Sequence, residues 1–274
     1  MLLQDKRLNL ESGIFKLESA VVAFSGGIDS TLVLAVANKV LNGRVLAVTA
    51  KSDSVPEREL RAAKELTQAL DINHKVIRTE EMSSPDYLKN SGNRCYYCKS
   101  ELYAKLAMVS SQYKITSILN GINLDDLGDH RPGILAAKEA GIISPLVESQ
   151  LNKQDIRNLA RDMGLTNWGK PALACLSSRI PYGQPVTAKK LSMIDEAEEI
   201  FLEEGFKEVR VRHYGDMARI ELLKAEIPIL MKNGLYKKTM NRLKNIGFQK
   251  ITIDPEGYRS GSLNEALDLN GEST

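Results

Sequence analysis

Ser25-Gly26-Gly27-Ile28-Asp29-Ser30 separates two apolar runs of the chain, residues 20–24 and 31–37. This order predicts a buried strand, a glycine turn and a buried helix. The glycines allow a tight turn whose N–H groups point to one spot, and the helix adds the positive end of its dipole. The stretch therefore predicts a binding site for a phosphate or pyrophosphate. The Walker P-loop pattern is absent, because no Gly-Lys-Ser/Thr follows.

Composition and length describe an ordinary globular protein. The chain has 274 residues, of which 43% are hydrophobic and 26% are charged, and its formal net charge is +2. This length predicts two domains, which we place at 1–168 and 169–274. The near balance of charge argues against a protein that binds polyanions over its whole surface. The amino terminus lacks the apolar core of a signal peptide and no apolar run approaches membrane length, so we expect a cytoplasmic protein without a membrane partner.

The first 165 residues alternate apolar runs with helical patterns, which predicts an α/β fold with a doubly wound parallel sheet. After the run at 20–24, strands are predicted at 44–50, 74–78 and 114–120, and helices at 56–70 and 155–163. A junction rich in glycine and proline, residues 169–184, leads to a smaller α/β domain. In this domain we predict a helix from a Thr187 cap to Glu204, further helices at 227–232 and 236–246, and strands at 208–213, 217–222 and 248–254.

A loop rich in carboxylates, residues 120–133, follows the last predicted strand of the parallel sheet. Asp125, Asp126 and Asp129 suit Mg²⁺ or the hydroxyls of a ribose, and Gly121 permits close approach of a nucleotide. The carboxyl ends of parallel strands meet at one edge of a sheet, so this loop, Ser52 and residues 25–30 are expected to form one site. The alternative is an acidic surface loop in which Arg131 is the counter-ion.

Three cysteines are the second strong feature of the sequence. Cys95 and Cys98 have the CxxC spacing of metal, cluster or redox sites, and Cys175 lies far away. A structural zinc ion needs four ligands, and no histidine has ligand spacing to these cysteines. Three thiolates suit a 4Fe–4S cluster with one open iron, which can bind an extra sulfide and pass it on. The alternative is two exposed thiols and one buried structural thiol. An odd cysteine count argues against a disulfide scaffold.

Arginines in the second domain offer sites for an anion. Arg179 has a planar fork for a carboxylate or phosphate, and Arg210 and Arg212 share one face of a predicted strand. Residues 207–250 contain 11 Lys and Arg against 4 Asp and Glu. This local excess suits a phosphorylated substrate. The alternative is a solvated face, which explains most such charges.

The string SGGIDS resembles the PP-loop of the ATP pyrophosphatases, whose loop holds the β- and γ-phosphates of ATP while a substrate attacks the α-phosphate. Nearly the whole chain resembles the LarE family of that superfamily, which comprises sulfur transferases of nickel-pincer nucleotide biosynthesis for lactate racemase. Besides the loop, four segments support the resemblance. They are residues 121–133 (GINLDDLGDHRPG), 174–183 (ACLSSRIPYG), 209–212 (VRVR) and 257–261 (GYRSG).

The resemblance implies an adenine nucleotide alpha hydrolase-like fold and an ATP-dependent enzyme. Mg–ATP would adenylate a carboxylate of pyridinium-3,5-biscarboxylic acid mononucleotide, pyrophosphate would leave, and sulfur would displace AMP to give a thiocarboxylate. The implied ATP site comprises Ser25, Gly26, Gly27, Asp29, Ser30, Ser52, Gly121 and Asp125. The implied substrate and phosphate site comprises Ser178, Arg179, Glu198, Arg210, Arg212, Glu221 and Arg259. Glu198 also fits a plain role on the exposed edge of its helix. The family's symmetric oligomers imply a homo-oligomer.

Two sources of sulfur are open within this resemblance. The three cysteines resemble the branch in which Cys95, Cys98 and Cys175 bind a 4Fe–4S cluster that carries a sulfide, supplied as such or by a sulfur donor. In the better-known branch one cysteine, here Cys175, gives up its own sulfur. With Asp29, these cysteines are the expected catalytic residues.

Three other functions compete with sulfur transfer to a small nucleotide. A PP-loop tRNA thiolase would use the same activation, but that function predicts a strongly basic protein, so we expect no nucleic-acid partner. An amide-forming ligase that uses ammonia leaves the cysteines unexplained. A non-catalytic nucleotide-binding module leaves both the activation site and the sulfur site unexplained.

Overall fold

Helices and strands alternate along the chain in a computed structural model, which describes residues 1–128, 132–171, 174–232 and 234–259. The first elements are α1 Leu3–Phe15, β1 Ala20–Ala23, α2 Ile28–Val40, β2 Val45–Lys51, α3 Glu57–Ala69, β3 His74–Arg78, α4 Pro85–Leu88, α5 Arg94–Tyr113, β4 Ser117–Leu119, α6 Pro132–Glu139, α7 Pro145–Glu148 and α8 Lys153–Asp162. They are followed by α9 Ala188–Glu203, β5 Val209–Tyr214, β6 Met217–Leu222, α10 Ile227–Leu230, α11 Leu235–Ile246 and β7 Lys250–Ile253. None of the described helices has the length and apolar character needed to cross a membrane.

The chain forms two compact units, Met1–Ser84 with Asn93–Leu173, and Pro85–Gly92 with Ala174–Thr274. The first unit contains a parallel sheet with strand order β3-β2-β1-β4. On one face Ala20 and Val22 pack with α1, α2 and α8, and on the other Val21 packs with α5 and α6. Apolar strands covered by helices on both faces confirm the predicted doubly wound parallel sheet.

The strand order places the candidate loops at the switch point of this sheet. The chain steps outward from β1 to β2 and β3 and then returns to the other side of β1 to form β4. In open α/β sheets, ligands bind outside the carboxyl ends of the two strands where the order reverses. Residues 25–30 follow β1 and residues 120–128 follow β4, so both lie at that crevice.

Besides α1 and α6, which were not predicted, two further features of the first unit differ from the sequence-based expectations. β4 is shorter than the predicted 114–120, because Lys114 adopts a left-handed backbone (φ 53°) that ends α5 before the strand begins. α5 itself was not predicted. It begins at Arg94, so Cys95 and Cys98 lie in the first turns of a 20-residue helix.

The second unit has a smaller sheet of order β5-β6-β7, in which β5 and β6 are antiparallel and β6 and β7 are parallel. Its core contains Phe201 of α9, Ile220 of β6 and Leu243 of α11. As predicted, Thr187 caps α9: its hydroxyl oxygen accepts a hydrogen bond from the backbone N of Lys190 at 3.3 Å. The smaller α/β arrangement is therefore confirmed, and the domain bounds 1–168 and 169–274 stay a prediction.

Residues 85–92 belong to the second unit although they precede α5 in the chain. The buried Asn90 side chain donates to the carbonyls of Ile180, Pro181 and Gln184 at 3.2, 2.8 and 2.9 Å. The Tyr87 hydroxyl lies 2.6 Å from the Ser177 Oγ. Residues 85–92, which are distant in sequence, therefore hold the segment that follows Cys175.

Candidate functional site

The loop after β1 is a tight turn fixed by its own hydroxyl groups. Gly26 has φ +72°, which favours glycine, and its backbone closely approaches Ala63 of α3. The Ser30 Oγ lies 3.2 Å from the Ser25 Oγ, and the Thr31 hydroxyl donates to the carbonyl of Gly27 at 2.8 Å. The turn leads directly into α2, whose amino end supplies unpaired N–H groups and a positive dipole. The geometry suits the predicted anion site.

Asn167 is part of this loop site and was missed in the sequence. Its amide nitrogen donates to the carbonyl of Gly26 at 3.2 Å and to the Thr31 Oγ1 at 2.9 Å. It lies 136 residues or more from both partners, so no local motif connects it to them. Asn167 therefore fixes the turn from outside it.

Asp29 is the charged group of the loop. One carboxylate oxygen, Oδ2, accepts from the ammonium nitrogen of Lys153 at 2.5 Å. The other oxygen, Oδ1, is buried and has no hydrogen-bond partner among the described residues. A buried carboxylate oxygen without a partner is costly, so it favours binding of a cation or a donor at this point.

Gly121 lies against the loop that follows β1. A Cβ at this position would lie 2.7 Å from the backbone N of Ser30 and 3.1 Å from the carbonyl carbon of Asp29. The end of β4 thus approaches the start of α2, where no other residue fits without a backbone shift. The expectation that Gly121 makes room for a nucleotide stays a prediction, and the contact that the structure shows is with the loop itself.

Replacement of Gly121 by Ala is expected to push the start of α2 away from β4. We expect the unfolding free energy to fall by about 1–3 kcal/mol, as in other overpacked sites. Chemical denaturation measures this loss. Gly128→Ala is the matched control, since a Cβ there meets no atom of the described residues within 4 Å. Equal behaviour of the two variants would contradict the role of Gly121.

The acidic loop after β4 is held by its own carboxylates. The Asp125 Oδ2 accepts from the backbone N of Lys153 at 2.8 Å, and the Asp126 Oδ2 accepts from the backbone N of Asn123 at 3.0 Å.

Ser52 lies in the loop after β2. Its hydroxyl is 2.9 Å from the Ser54 hydroxyl, which donates to the buried Glu81. The predicted roles of Asp129 and Arg131 concern residues outside the described part of the chain.

Cys95 and Cys98 are half-buried residues on one face of α5. Their spacing of three residues is close to one helical turn. None of the three cysteines forms a disulfide bond. The described ranges include all three cysteines. Within them, no group of three or more His, Cys, Asp or Glu side chains is arranged so that it could hold a metal ion. The cluster and the magnesium ion therefore stay predictions.

Cys175 lies in a loop of the second unit, and the Arg179 side chain holds the main chain of this loop. The Arg179 guanidinium donates through Nη1 to the carbonyls of Ala174 and Cys175 at 2.8 and 3.0 Å and to the Ser178 Oγ at 2.9 Å. Its Nε and Nη2 donate to the two oxygens of Glu198 at 2.8 and 3.1 Å. Arg179 therefore fixes the backbone that carries Cys175.

The expected plain role of Glu198 at an exposed helix edge is wrong. Glu198 is fully buried at 0% exposure, and Arg179 is 2% exposed. Glu198 also accepts from the backbone N of Val211 at 3.2 Å. Burial of Arg179 by itself disfavours its charge, but the adjacent Glu198 outweighs this and raises the pKa of the guanidinium. The carboxylate thus keeps a buried arginine charged beside the Cys175 loop.

Arg212 and Arg210 extend this network along β5. Arg212 donates to both oxygens of Glu221 at 3.0 and 2.7 Å and to the carbonyl of Ser178 at 2.8 Å. The Arg210 guanidinium lies 4.9 Å from the ring centre of Tyr258. Burial and the nearby charge of Arg179 lower the pKa of Arg210.

Six of the seven predicted substrate residues are therefore connected or adjacent in the second unit. They are Ser178, Arg179, Glu198, Arg210, Arg212 and Glu221. Arg259 is exposed and follows Tyr258, and the rest of the predicted ending, residues 260–261, lies outside the described residues. Guanidinium groups outnumber carboxylates in this set, which suits an anion. Binding of a substrate by these residues stays a prediction.

Known proteins align with this chain over most of its length. The family model described as "Queuosine biosynthesis protein QueC" matches residues 19–91. The chain is 37% identical to the pyridinium-3,5-bisthiocarboxylic acid mononucleotide synthase of Lactiplantibacillus plantarum over 97% of this chain and 96% of that protein. It is 42% identical to an uncharacterized protein of Synechocystis sp. over 97% of this chain and 99% of that protein. It is 29% identical to an uncharacterized protein of Methanocaldococcus jannaschii over 90% of this chain and 93% of that protein.

Proposed function

Since this chain belongs to the LarE family, as its similarity to the pyridinium-3,5-bisthiocarboxylic acid mononucleotide synthase shows, we propose that it is an ATP-dependent sulfur transferase. Its substrate is a carboxylate of pyridinium-3,5-biscarboxylic acid mononucleotide, and its product is the thiocarboxylate. The loop at 25–30 supports the activation step, and the arginine network of the second unit supports binding of a phosphorylated substrate.

The observation that carries the proposal is the environment of Asp29. The loop that contains it offers N–H groups and the positive end of α2 for phosphate oxygens. The Asp29 Oδ1 is buried without a partner among the described residues, which fits a divalent cation that accompanies ATP. We assign Mg²⁺–ATP to Ser25, Gly26, Gly27, Asp29 and Ser30, with Ser52, Gly121 and Asp125 at the neighbouring strand ends.

Activation converts a poor leaving group into a good one. A carboxylate oxygen of the substrate forms a bond to the α-phosphorus of ATP, and the bond from that phosphorus to the bridging oxygen breaks. Pyrophosphate leaves with the electron pair. Sulfide then adds to the carbonyl carbon, the carbon–oxygen bond to the adenylate breaks, and AMP leaves while the proton on sulfur passes to solvent. Fixed positive groups near the leaving oxygens speed such a step.

For the sulfur source we propose Cys95, Cys98 and Cys175 as ligands of a 4Fe–4S cluster. The donor chemistry fits, because three thiolates leave one iron without a protein ligand, and two of the thiols share one face of α5. When bound, such a cluster supplies an exchangeable site for sulfide, so one protein can serve many turnovers. Sacrificial transfer of the Cys175 sulfur is the alternative.

Pyrophosphate release tests the proposed substrate. The protein is given Mg²⁺–ATP and sulfide with either the pyridinium nucleotide or bulk tRNA, and both pyrophosphate and thiolated product are measured. We expect release and a thiocarboxylate with the pyridinium nucleotide alone. Release that depends on tRNA would overturn the proposal in favour of a tRNA thiolase.

Protein purified without oxygen is expected to contain roughly four iron and four sulfide per chain. Cys95→Ala should remove most of the iron and limit product to at most one sulfur per chain, because a cluster ligand is lost. Iron, sulfide and product are measured on the same preparation. Ser100→Ala is the control on the same helix, because the Ser100 hydroxyl donates to the carbonyl of Tyr96 at 2.9 Å, one turn earlier in the helix. A colourless protein that resists reconstitution would overturn the cluster in favour of sacrificial transfer.

A further inference from the structure

We propose that Lys153 is a catalytic residue of the activation step: its ammonium group pairs with Asp29 in the free protein and binds phosphate oxygens of ATP once Mg²⁺ occupies Asp29. The proposal rests on the function proposed above, because it requires that ATP binds at residues 25–30. It assigns a cationic side chain to a loop whose own sequence contains none.

The backbone of Lys153 is held in place by hydrogen bonds. Lys153 is the first residue of α8, and its backbone N donates to the Asp125 Oδ2 at 2.8 Å. The preceding residue, Asn152, caps the helix by accepting from the backbone N of Asp155 at 2.8 Å. The loop before it is connected to the acidic loop after β4, because the Leu124 N donates to the carbonyl of Leu151 at 3.0 Å. The start of α8 is therefore held at the switch-point crevice.

The side chain of Lys153 is able to move while its backbone stays in place. It is 28% exposed, and the Asp29 side chain with which it pairs is 22% exposed. Four methylene groups separate the ammonium from the fixed backbone, and a partly exposed ion pair is only weakly stabilised. A divalent cation competes strongly for the same carboxylate, whose second oxygen is buried and has no partner in the described part of the chain.

Lys153 provides the positive charge that the loop lacks. Walker-type loops contain a lysine that reaches the β- and γ-phosphates, and SGGIDS has none. Within the described residues, Lys153 is the one Lys or Arg that forms an ion pair with residues 25–31. As pyrophosphate leaves, negative charge grows on its oxygens, and an ammonium group nearby stabilises that charge more than it stabilises bound ATP.

Lys6 provides a matched control for removal of Lys153. Lys6 lies in α1, and its ammonium nitrogen is 2.5 Å from the carboxylate of Asp155 in α8, with side-chain exposures of 15% and 19%. Lys153→Met, Lys153→Arg and Lys6→Met are compared by three measurements. These are the melting temperature of the free protein, calorimetric affinity for Mg²⁺–α,β-methylene-ATP, and single-turnover pyrophosphate release.

We expect Lys153→Met to bind the analogue about tenfold more weakly and to release pyrophosphate about a hundredfold more slowly, as for loss of one charged group at a leaving oxygen. Lys153→Arg should recover much of both losses because it keeps the charge. Lys6→Met should change neither. Melting temperatures of the two Met variants should be similar, which separates the effect from folding.

The proposal is overturned if Lys153→Met binds the analogue as tightly as the Lys6→Met variant does, or if its losses follow melting temperature alone. The analogue is not turned over, so this measurement stands even if the pyridinium nucleotide proves not to be the substrate. Absence of pyrophosphate release from the wild-type protein, with analogue affinity dependent on Lys153, would contradict the proposed substrate and support the role of Lys153 in nucleotide binding.

Discussion

Replacing Cys175 by Ala is expected to abolish thiocarboxylate formation while the rate of pyrophosphate release in the first turnover stays close to that of the wild-type protein. Both sulfur routes depend on this residue, as a cluster ligand or as the sulfur donor itself. Product formation should therefore fall on the order of a thousandfold or more, as for loss of a catalytic nucleophile. The activation loop lies in the other unit of the chain and contains no part of the Cys175 loop. Mass spectrometry of the product and a coupled pyrophosphate assay measure the two steps.

The Cys175→Ala variant is expected to fold, because the loop is held through main-chain atoms. The carbonyl of Cys175 accepts from the Ser178 Oγ at 2.8 Å and from the Arg179 Nη1 at 3.0 Å, and alanine keeps that carbonyl. Thiocarboxylate formation at the wild-type rate would show that the sulfur comes from elsewhere. In the wild-type protein, intact mass after turnover separates the routes: a loss of H₂S at Cys175 identifies sacrificial transfer, and an unchanged chain with repeated turnover identifies transfer from a cluster.

The activation loop was predictable because its signals are local. Two buried apolar runs on either side of Gly26 and Gly27 define strand, turn and helix within a few residues, and β1 and α2 lie where this pattern places them. Capping of α9 by Thr187 was predictable for the same reason, since the capping side chain and the backbone N–H that donates to it are three residues apart.

Partners that are distant in sequence were not predictable from one chain. Lys153 reaches Asp29 across 124 residues, and Asn167 reaches Gly26 across 141. Asn90 contacts carbonyls that lie 90 residues or more along the chain. Such contacts follow from how the sheet brings loops together, and they leave no periodicity in the sequence. The residues that hold the candidate sites in place are therefore the ones that motif analysis omits.

Burial of Glu198 had a signal that sequence analysis did not use. Ile194 and Phe201 lie on the inner face of α9, and Glu198 is four residues after one and three before the other. Helical periodicity therefore places Glu198 on that same inner face. The exposed helix edge was left open as an alternative for Glu198, whereas its burial is tolerated here because Arg179 supplies two hydrogen bonds and a charge.

Glu198→Gln is expected to lower the unfolding free energy of the second unit by about 3–5 kcal/mol, because it leaves Arg179 charged and buried without its carboxylate. A glutamine also turns an N–H group toward a guanidinium donor, so one of the two bonds becomes repulsive. Chemical denaturation followed by circular dichroism measures the loss. Loosening of Arg179 should also release the carbonyls of Ala174 and Cys175, so the Cys175 thiol should react faster with a small alkylating reagent.

Glu203→Gln on the same helix separates this effect from a general loss of charge. The Glu203 carboxylate pairs with Arg242 at 2.7 Å, but its side chain is 52% exposed, so its removal should cost at most about 1 kcal/mol. Because water can solvate Arg242 and cannot reach Arg179, the same chemical change has different consequences at the two positions. A Glu198→Gln variant as stable as the Glu203→Gln variant would mean that Arg179 finds another counter-ion, and the Cys175 loop would then not depend on this pair.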